Sequence, residues 1–225
     1  MSWKTAHRSF YYQGAPEPAD PVLKRDETAL LCIDVQNYGM VLHEDPAERE
    51  RWAPFHARMR GTVIPRLQAL QQRFRAEGVD VIHARIACQL EDGRDRSLSQ
   101  KMPGWNNLLM PKDSEESQII PELAPEPGEI VVTKTTDSAL TGTNLRLLLS
   151  NMGIRTLIVT GIYTDQCVSS TVRSLADESF QVILLEDCCA AGTDALHQQE
   201  LAIINMIYCH VMTSEELLAL MGLDD

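Results

Sequence analysis

Residues 156–187 read TLIVTGIYTDQCVSSTVRSLADESFQVILLED. An apolar run over 156–161, a turn, a helical pattern over 164–179 and a second apolar run from 181 make one strand–helix–strand unit. Both runs are apolar throughout rather than alternating, so these strands are buried on both faces. That is the condition of a parallel sheet covered by helices.

The same rhythm extends in both directions. ALLCIDV (29–35), VDVIHARI (79–86) and EIVVTK (129–134) read as strands before this unit, and the short HVMT (210–213) after it. Between them, residues 62–77 place Val63, Leu67, Leu70 and Phe74 on one helical stripe, with Pro65 starting or kinking the helix and Gly78 as C-cap. Residues 143–152 carry Leu145, Leu148 and Leu149 and stop at Gly153, and 194–208 behave similarly. The expected fold is α/β, a three-layer α/β/α domain over residues 28–225. Residues 1–27, with aromatics at 10–12 and prolines at 16, 18 and 21, read as an arm over its own or a neighbouring subunit. Residues 87–128 are polar and carry five prolines, which suggests a functional loop or lid.

Composition removes several functional classes. The 225 residues carry a formal charge of −12 and no basic run, so no nucleic-acid partner is expected. No apolar run approaches the roughly 20 residues that span a bilayer, so no membrane partner is expected either. The N-terminus MSWKTAHR lacks the apolar stretch of a signal peptide, which gives an expectation of a cytoplasmic protein. Six cysteines, at 32, 88, 167, 188, 189 and 209, include no Cys-x-x-Cys and no paired Cys/His grouping. Structural disulfides and a metal are therefore not expected, and the vicinal Cys188 and Cys189 read as packing.

In open parallel sheets ligands bind beyond the carboxyl ends of the strands. Asp34, with Gln36 after it, closes the first strand; Lys134 closes the third; Cys167 follows the fourth, where a helix should begin. Taken singly, each has a plain structural reading as a cap, a rim charge or a packed thiol. Together they fall at one sheet edge. A helix N-terminus and a nearby lysine favour thiolate, and an aspartate can take the proton and return it to a leaving group.

CIDVQN, Lys134 with Ser138 after it, and the stretch from Val159 to Cys189 resemble the isochorismatase-like hydrolases, with Gly161, Thr164, Cys167, Val168 and Thr171 in register. The resemblance runs from about residue 25 to the C-terminus. It implies a six-stranded parallel sheet of order 3-2-1-4-5-6, a homo-oligomer (dimer or tetramer) and a catalytic triad of Asp34, Lys134 and Cys167. It also implies a non-proline cis peptide at Ile162–Tyr163 and an oxyanion hole from the backbone N–H groups of Tyr163 and Cys167. Two departures narrow the implied activity. Nicotinamidases of the superfamily hold a metal on one Asp and two His after the second strand, and here IACQLEDGRD follows with no histidine. True isochorismatases lack the nucleophilic cysteine, which is present here.

The resulting expectation is a metal-free, cofactor-free cysteine hydrolase acting on a small-molecule amide. By resemblance, its substrate is a ureido, biuret-type or N-carbamoyl compound. Four side chains are secondary candidates for substrate contact. Gln36 could bond Asp34 or a substrate amide, or cap a turn. Trp105, in MPGWNN, could close over substrate, stand exposed or meet a subunit. Ile162 flanks the expected cis peptide, and Tyr208 lies near the last strand. His197 reads as a residue on a solvated helix face, and His43 and His56 as parts of a charged surface helix around HEDPAERERWAP (43–54). The competing classes are an ether hydrolase with an incidental thiol, a non-catalytic binding relative, and a redox-sensing thiol protein with a resolving cysteine.

Overall fold

The computed structural model describes residues 2–224. Six parallel strands form its central sheet: β1 (Thr28–Ile33), β2 (Asp80–Ile86), β3 (Ile130–Lys134), β4 (Thr156–Ile162), β5 (Gln181–Ala190) and β6 (His210–Met212). Their order across the sheet is 3-2-1-4-5-6, as expected. Strand order reverses between β1 and β4, so the crevice at their carboxyl ends is the place for a ligand.

Strand β1 explains the layering. All six of its residues are buried. Leu31 and Ile33 pack on one side of the sheet with Leu145, Leu149, Val172 and Leu201, while Leu30 and Cys32 pack on the other with Phe55, Met59, Leu67 and Phe74. Helices α1 (Pro46–Arg58), α2 (Ile64–Ala76) and α6 (Ser214–Leu220) cover the second face. Helices α3 (Leu145–Met152), α4 (Ser169–Asp177) and α5 (Asp194–Ile204) cover the first.

Helix α2 differs from its sequence reading at the start. The helical path begins at Pro46, with the Asp45 side chain accepting from Ala47 N at 2.8 Å, and continues to Ala76 through one wide turn at Met59–Val63. Pro65 has no N–H, and its ring presses on the carbonyl four residues back; the wide turn just before it accommodates both. His56 sits in α1 but points inward, only 6% exposed, against the expectation of a surface residue. It packs edge-on to Phe55. Strand β5 also runs further than QVILLED, because its pairing with β4 jumps from Val159↔Leu184 to Gly161↔Cys189. All six cysteines are buried and free.

The first residues of the arm lie against their own chain, with Asn205 Nδ2 donating to Ala6 O and His7 O. Trp3 is buried, stacks edge-on with His210, and donates its N–H to Glu216 Oε1 at 2.8 Å. Between β2 and β3 the long loop folds back over the sheet edge, with a small hairpin pairing Lys101–Met102 with Asn106–Asn107.

Candidate active site

Asp34 follows β1 directly and adopts φ +54, a left-handed conformation that Asp tolerates better than most residues. Its N–H donates to Ala84 O at 2.9 Å and its carbonyl accepts from Gln36 N at 2.8 Å. Lys134 ends β3, two strands away, and pairs in register with Ile86 of β2. Adjacent strands stand about 4.8 Å apart, so a lysine on the third strand can reach a side chain after the first across the end of the second. It does so: Lys134 Nζ lies 2.7 Å from Asp34 Oδ2.

Cys167 stands in a wide helical turn, Thr164–Val168, in which Val168 N donates to Tyr163 O at 3.2 Å before α4 begins. Such turns recur at functional sites because they re-aim a side chain without ending the helix. Lys134 Nζ is 3.3 Å from Cys167 Sγ and donates to Thr136 O at 3.1 Å. All three ammonium donors are thus committed: to the carboxylate, to the sulfur and to a carbonyl.

Burial works against one expectation. Burial, followed by the Asp34 charge, pushes the Cys167 thiol well above its ordinary value, and the Lys134 ammonium opposes this without reversing it. Burial thus weighs toward the thiol, against the thiolate that the helix position and the lysine favour. Burial likewise raises Asp34 above the ordinary carboxylate value, with Lys134 pulling back. Burial works against the Lys134 charge, but Asp34 and Cys167 hold its pKa above the ordinary lysine value. A carboxylate made more basic by burial, beside a thiol, is suited to accept its proton.

Residues outside the triad hold it in place. Thr171 Oγ1 donates to Cys167 O at 2.7 Å and accepts from Ala139 N at 3.0 Å. Ser138 Oγ donates to Ser174 Oγ at 2.9 Å. Together they fasten the loop after Lys134 to the helix that carries Cys167. Behind the cysteine turn, Thr164 Oγ1 lies 2.8 Å from His197 Nδ1, and Arg58 Nη2 lies 2.9 Å from His197 Nε2. Arg58 can only donate, so His197 accepts at Nε2 and donates its Nδ1–H to the threonine. The expectation of a solvated His197 is wrong: it is fully buried, because α5 turns that face onto the cysteine turn.

A cavity of about 700 Å³ opens on Asp34 and Cys167, while Lys134 lies beneath its floor, 1% exposed. The peptide between Ile162 and Tyr163 is cis, and both residues line the cavity. The Tyr163 ring packs against Phe55 and Trp52, and burial pushes its hydroxyl up to about 12. Trp105 stands at the rim, 76% exposed.

Two secondary candidates fall elsewhere. Gln36 borders the cavity, yet its amide is spent on backbone: Nε2 donates to Ile86 O and Ser117 O, and Oε1 accepts from Ile86 N. It latches the long loop to β2 rather than reading a substrate. Tyr208 is absent from this cavity and borders a separate groove with Phe10 and Ile203, under the Arg173 guanidinium.

The sequence reading missed Asp137, Asp165, Arg173 and Glu200, all of which line the cavity. Asp137 Oδ1 lies 3.8 Å from Cys167 Sγ. Its place three residues after Lys134, beyond a strand end, was the available signal. Among the described residues no group of three or more His, Cys, Asp or Glu side chains is placed to hold a metal ion, and no helix is long and apolar enough to cross a membrane.

A parallel sheet with this order, carrying an aspartate, a lysine and a cysteine around one crevice, defines an isochorismatase-type α/β domain. Residues 28–216 match the isochorismatase domain, and the chain belongs to that family. N-carbamoylsarcosine amidase from an Arthrobacter species is 34% identical over 160 residues, which is 68% of this chain and 59% of that protein. Ureidoacrylate amidohydrolase from Methylobacterium radiotolerans is 30% identical over 216 residues, 90% of this chain and 81% of that protein. An isochorismatase family protein from Burkholderia thailandensis superposes with a TM-score of 0.73 at 27% identity, covering 91% of this chain and 100% of that one.

Proposed function

We propose that the protein is a cysteine hydrolase that cleaves a C–N amide-type bond of a small molecule through a thioester. The observation that carries this is the single Lys134 ammonium in contact with both Asp34 and Cys167. Moving the proton from sulfur to carboxylate transfers the negative charge from one neighbour of that cation to the other. The buried site keeps its net charge throughout, so the step avoids the cost of an isolated buried ion.

The reaction then runs as follows. Asp34 takes the Cys167 proton and the sulfur attacks the substrate carbonyl, whose oxygen becomes an oxyanion held by the N–H groups of Tyr163 and Cys167. Protonated Asp34 gives its proton to the departing nitrogen, the C–N bond breaks, and ammonia or an amine leaves. Water attacks the thioester with Asp34 as base, and the released thiolate is reprotonated. The names of the amidase and amidohydrolase relatives support a ureido or N-carbamoyl substrate.

Ammonia release from biuret, ureidoacrylate, N-carbamoylsarcosine, maleamate and nicotinamide, with and without chelator, tests the reading. Chelator-insensitive release from at least one non-nicotinamide amide is expected. Silence on every amide, with no effect of iodoacetamide on turnover of an isochorismate-type ether, would favour the ether hydrolase instead.

A further inference from the structure

Two of the carboxylates lining the cavity have no countercharge. Its charged lining consists of Asp34, Asp137, Asp165, Glu200 and one cation, Arg173. Asp34 is matched by Lys134 beneath the floor, and Glu200 by Arg173 at 2.9 Å. Arg173 is committed further, with Nε on Ser169 Oγ at 3.2 Å and its guanidinium over the Tyr208 ring. These contacts use only part of its five-donor fork. Asp137 and Asp165 form no ion pair among the described residues; the nearest donor to Asp137 is Gln100 Nε2 at 3.4 Å. The buried oxygen Oδ1 of Asp165 receives no hydrogen bond from another residue. At the mouth stand two exposed aromatics, Trp105 and Tyr38, whose faces attract cations and N–H groups.

An anion entering this cavity meets four carboxylates against Arg173 and the buried Lys134, a net negative surround in a concave site where water screens poorly. An N–H donor or an ammonium meets Asp137, held only by long contacts from Gln100 and Cys167, and the unpartnered Oδ1 of Asp165. Ureidoacrylate and N-carbamoylsarcosine, the compounds named for two relatives, each carry a carboxylate at neutral pH.

Building on the amide-hydrolase reading, we infer that this site takes uncharged or cationic, N–H-rich amides and rejects carboxylates, with Asp137 accepting from a donor nitrogen held beside the Cys167 sulfur. Asp137 is then a specificity-determining residue, and Asp165 contributes the same field from the helix side of the cavity.

Alkylation of Cys167 in the full chain reads this charge preference without needing a substrate. Iodoacetamide, iodoacetate and 2-bromoethylammonium are uncharged, anionic and cationic probes, each forming a thioether with loss of halide. Rates at the Cys167 peptide are followed by mass spectrometry and divided by those for a small uncharged thiol under the same conditions. The expected normalised iodoacetate rate is at least about tenfold below the iodoacetamide rate, and the cationic probe is favoured. Asp137→Asn and Asp165→Asn are each expected to narrow the iodoacetate-to-iodoacetamide gap about threefold. Equal normalised rates for iodoacetate and iodoacetamide in the wild-type protein overturn the inference whatever the variants do. An unchanged ratio in both variants overturns the assignment to these residues. The two readings fail in different ways. Charge-selective alkylation without hydrolysis of any amide removes the hydrolase and leaves the charge preference standing. A Cys167 that reacts with none of the probes removes both.

Discussion

The Lys134 ammonium sits 2.7 Å from Asp34 Oδ2, and both side chains are buried. Removing one half of such a pair strands the other charge where water cannot reach it, at about 3–5 kcal/mol. Lys134→Met is expected to lower stability by that order in urea unfolding. Adding Asp34→Asn is expected to restore most of the loss, because no charge is then left behind. A double variant no more stable than Lys134→Met would show that the two are not coupled.

Burial holds Asp34 above the ordinary value of 3.8, and the Lys134 charge opposes the rise. A base acts only when ionised, so the rate should fall as pH drops through the raised value. The acid limb of kcat/KM is therefore expected above 3.8. In Lys134→Met, where the main influence opposing the rise is gone, it moves to higher pH and kcat falls roughly a hundredfold or more. An acid limb that ignores Lys134 would contradict the role given to Asp34.

His197 is pulled down from 6.5 to about 4, first by burial and then by the Arg58 charge. A depressed histidine is neutral in the fold but protonated in the unfolded chain between those values. The unfolded state therefore binds more protons there, and stability is complete above about 6.5 and lost as pH falls toward 4. The shift corresponds to about 3 kcal/mol. Urea unfolding from pH 7.5 to 4.5 should show the wild type losing that much more than His197→Gln. Parallel curves would mean that His197 titrates normally.

Gly161 has φ +116, and a Cβ there would stand 2.0 Å from Ile33 O and 2.7 Å from Ile33 N. Both are backbone atoms of the adjacent strand and cannot move aside. Gly161→Ala is expected to cost more than about 4 kcal/mol, seen as insoluble protein or a large drop in urea midpoint. Gly153 caps α3 at φ +76 with open space around it, so Gly153→Ala should cost only about 1 kcal/mol. Similar costs at the two sites would refute the close-approach argument.

The sheet was legible because buried parallel strands are apolar throughout, and the strands in ALLCIDV and TLIVTG fall within a residue or two of where those runs place them. Asp34, Lys134 and Cys167 could be brought to one crevice from strand ends alone, since a parallel sheet puts every carboxyl end on one side. What stayed hidden depends on side-chain direction. His56 and His197 look like surface residues among charges, yet each faces inward because of how its helix is rotated against the sheet. Gln36 has the chemistry to read a substrate, and only the folded loop shows its amide already spent. The thiol's protonation state could not be read either. Helix position and a nearby lysine argue for thiolate; the depth of burial, which opposes that, is a property of packing.

Ammonia release by Cys167→Ala on an amide that the wild type hydrolyses tests the central claim most directly. With the sulfur gone, no thioester can form and Asp34 has no thiol to deprotonate. The account predicts a fall of at least about 10⁴ in kcat with the fold intact by circular dichroism. A Cys167→Ala protein that turns over at the wild-type rate would contradict it.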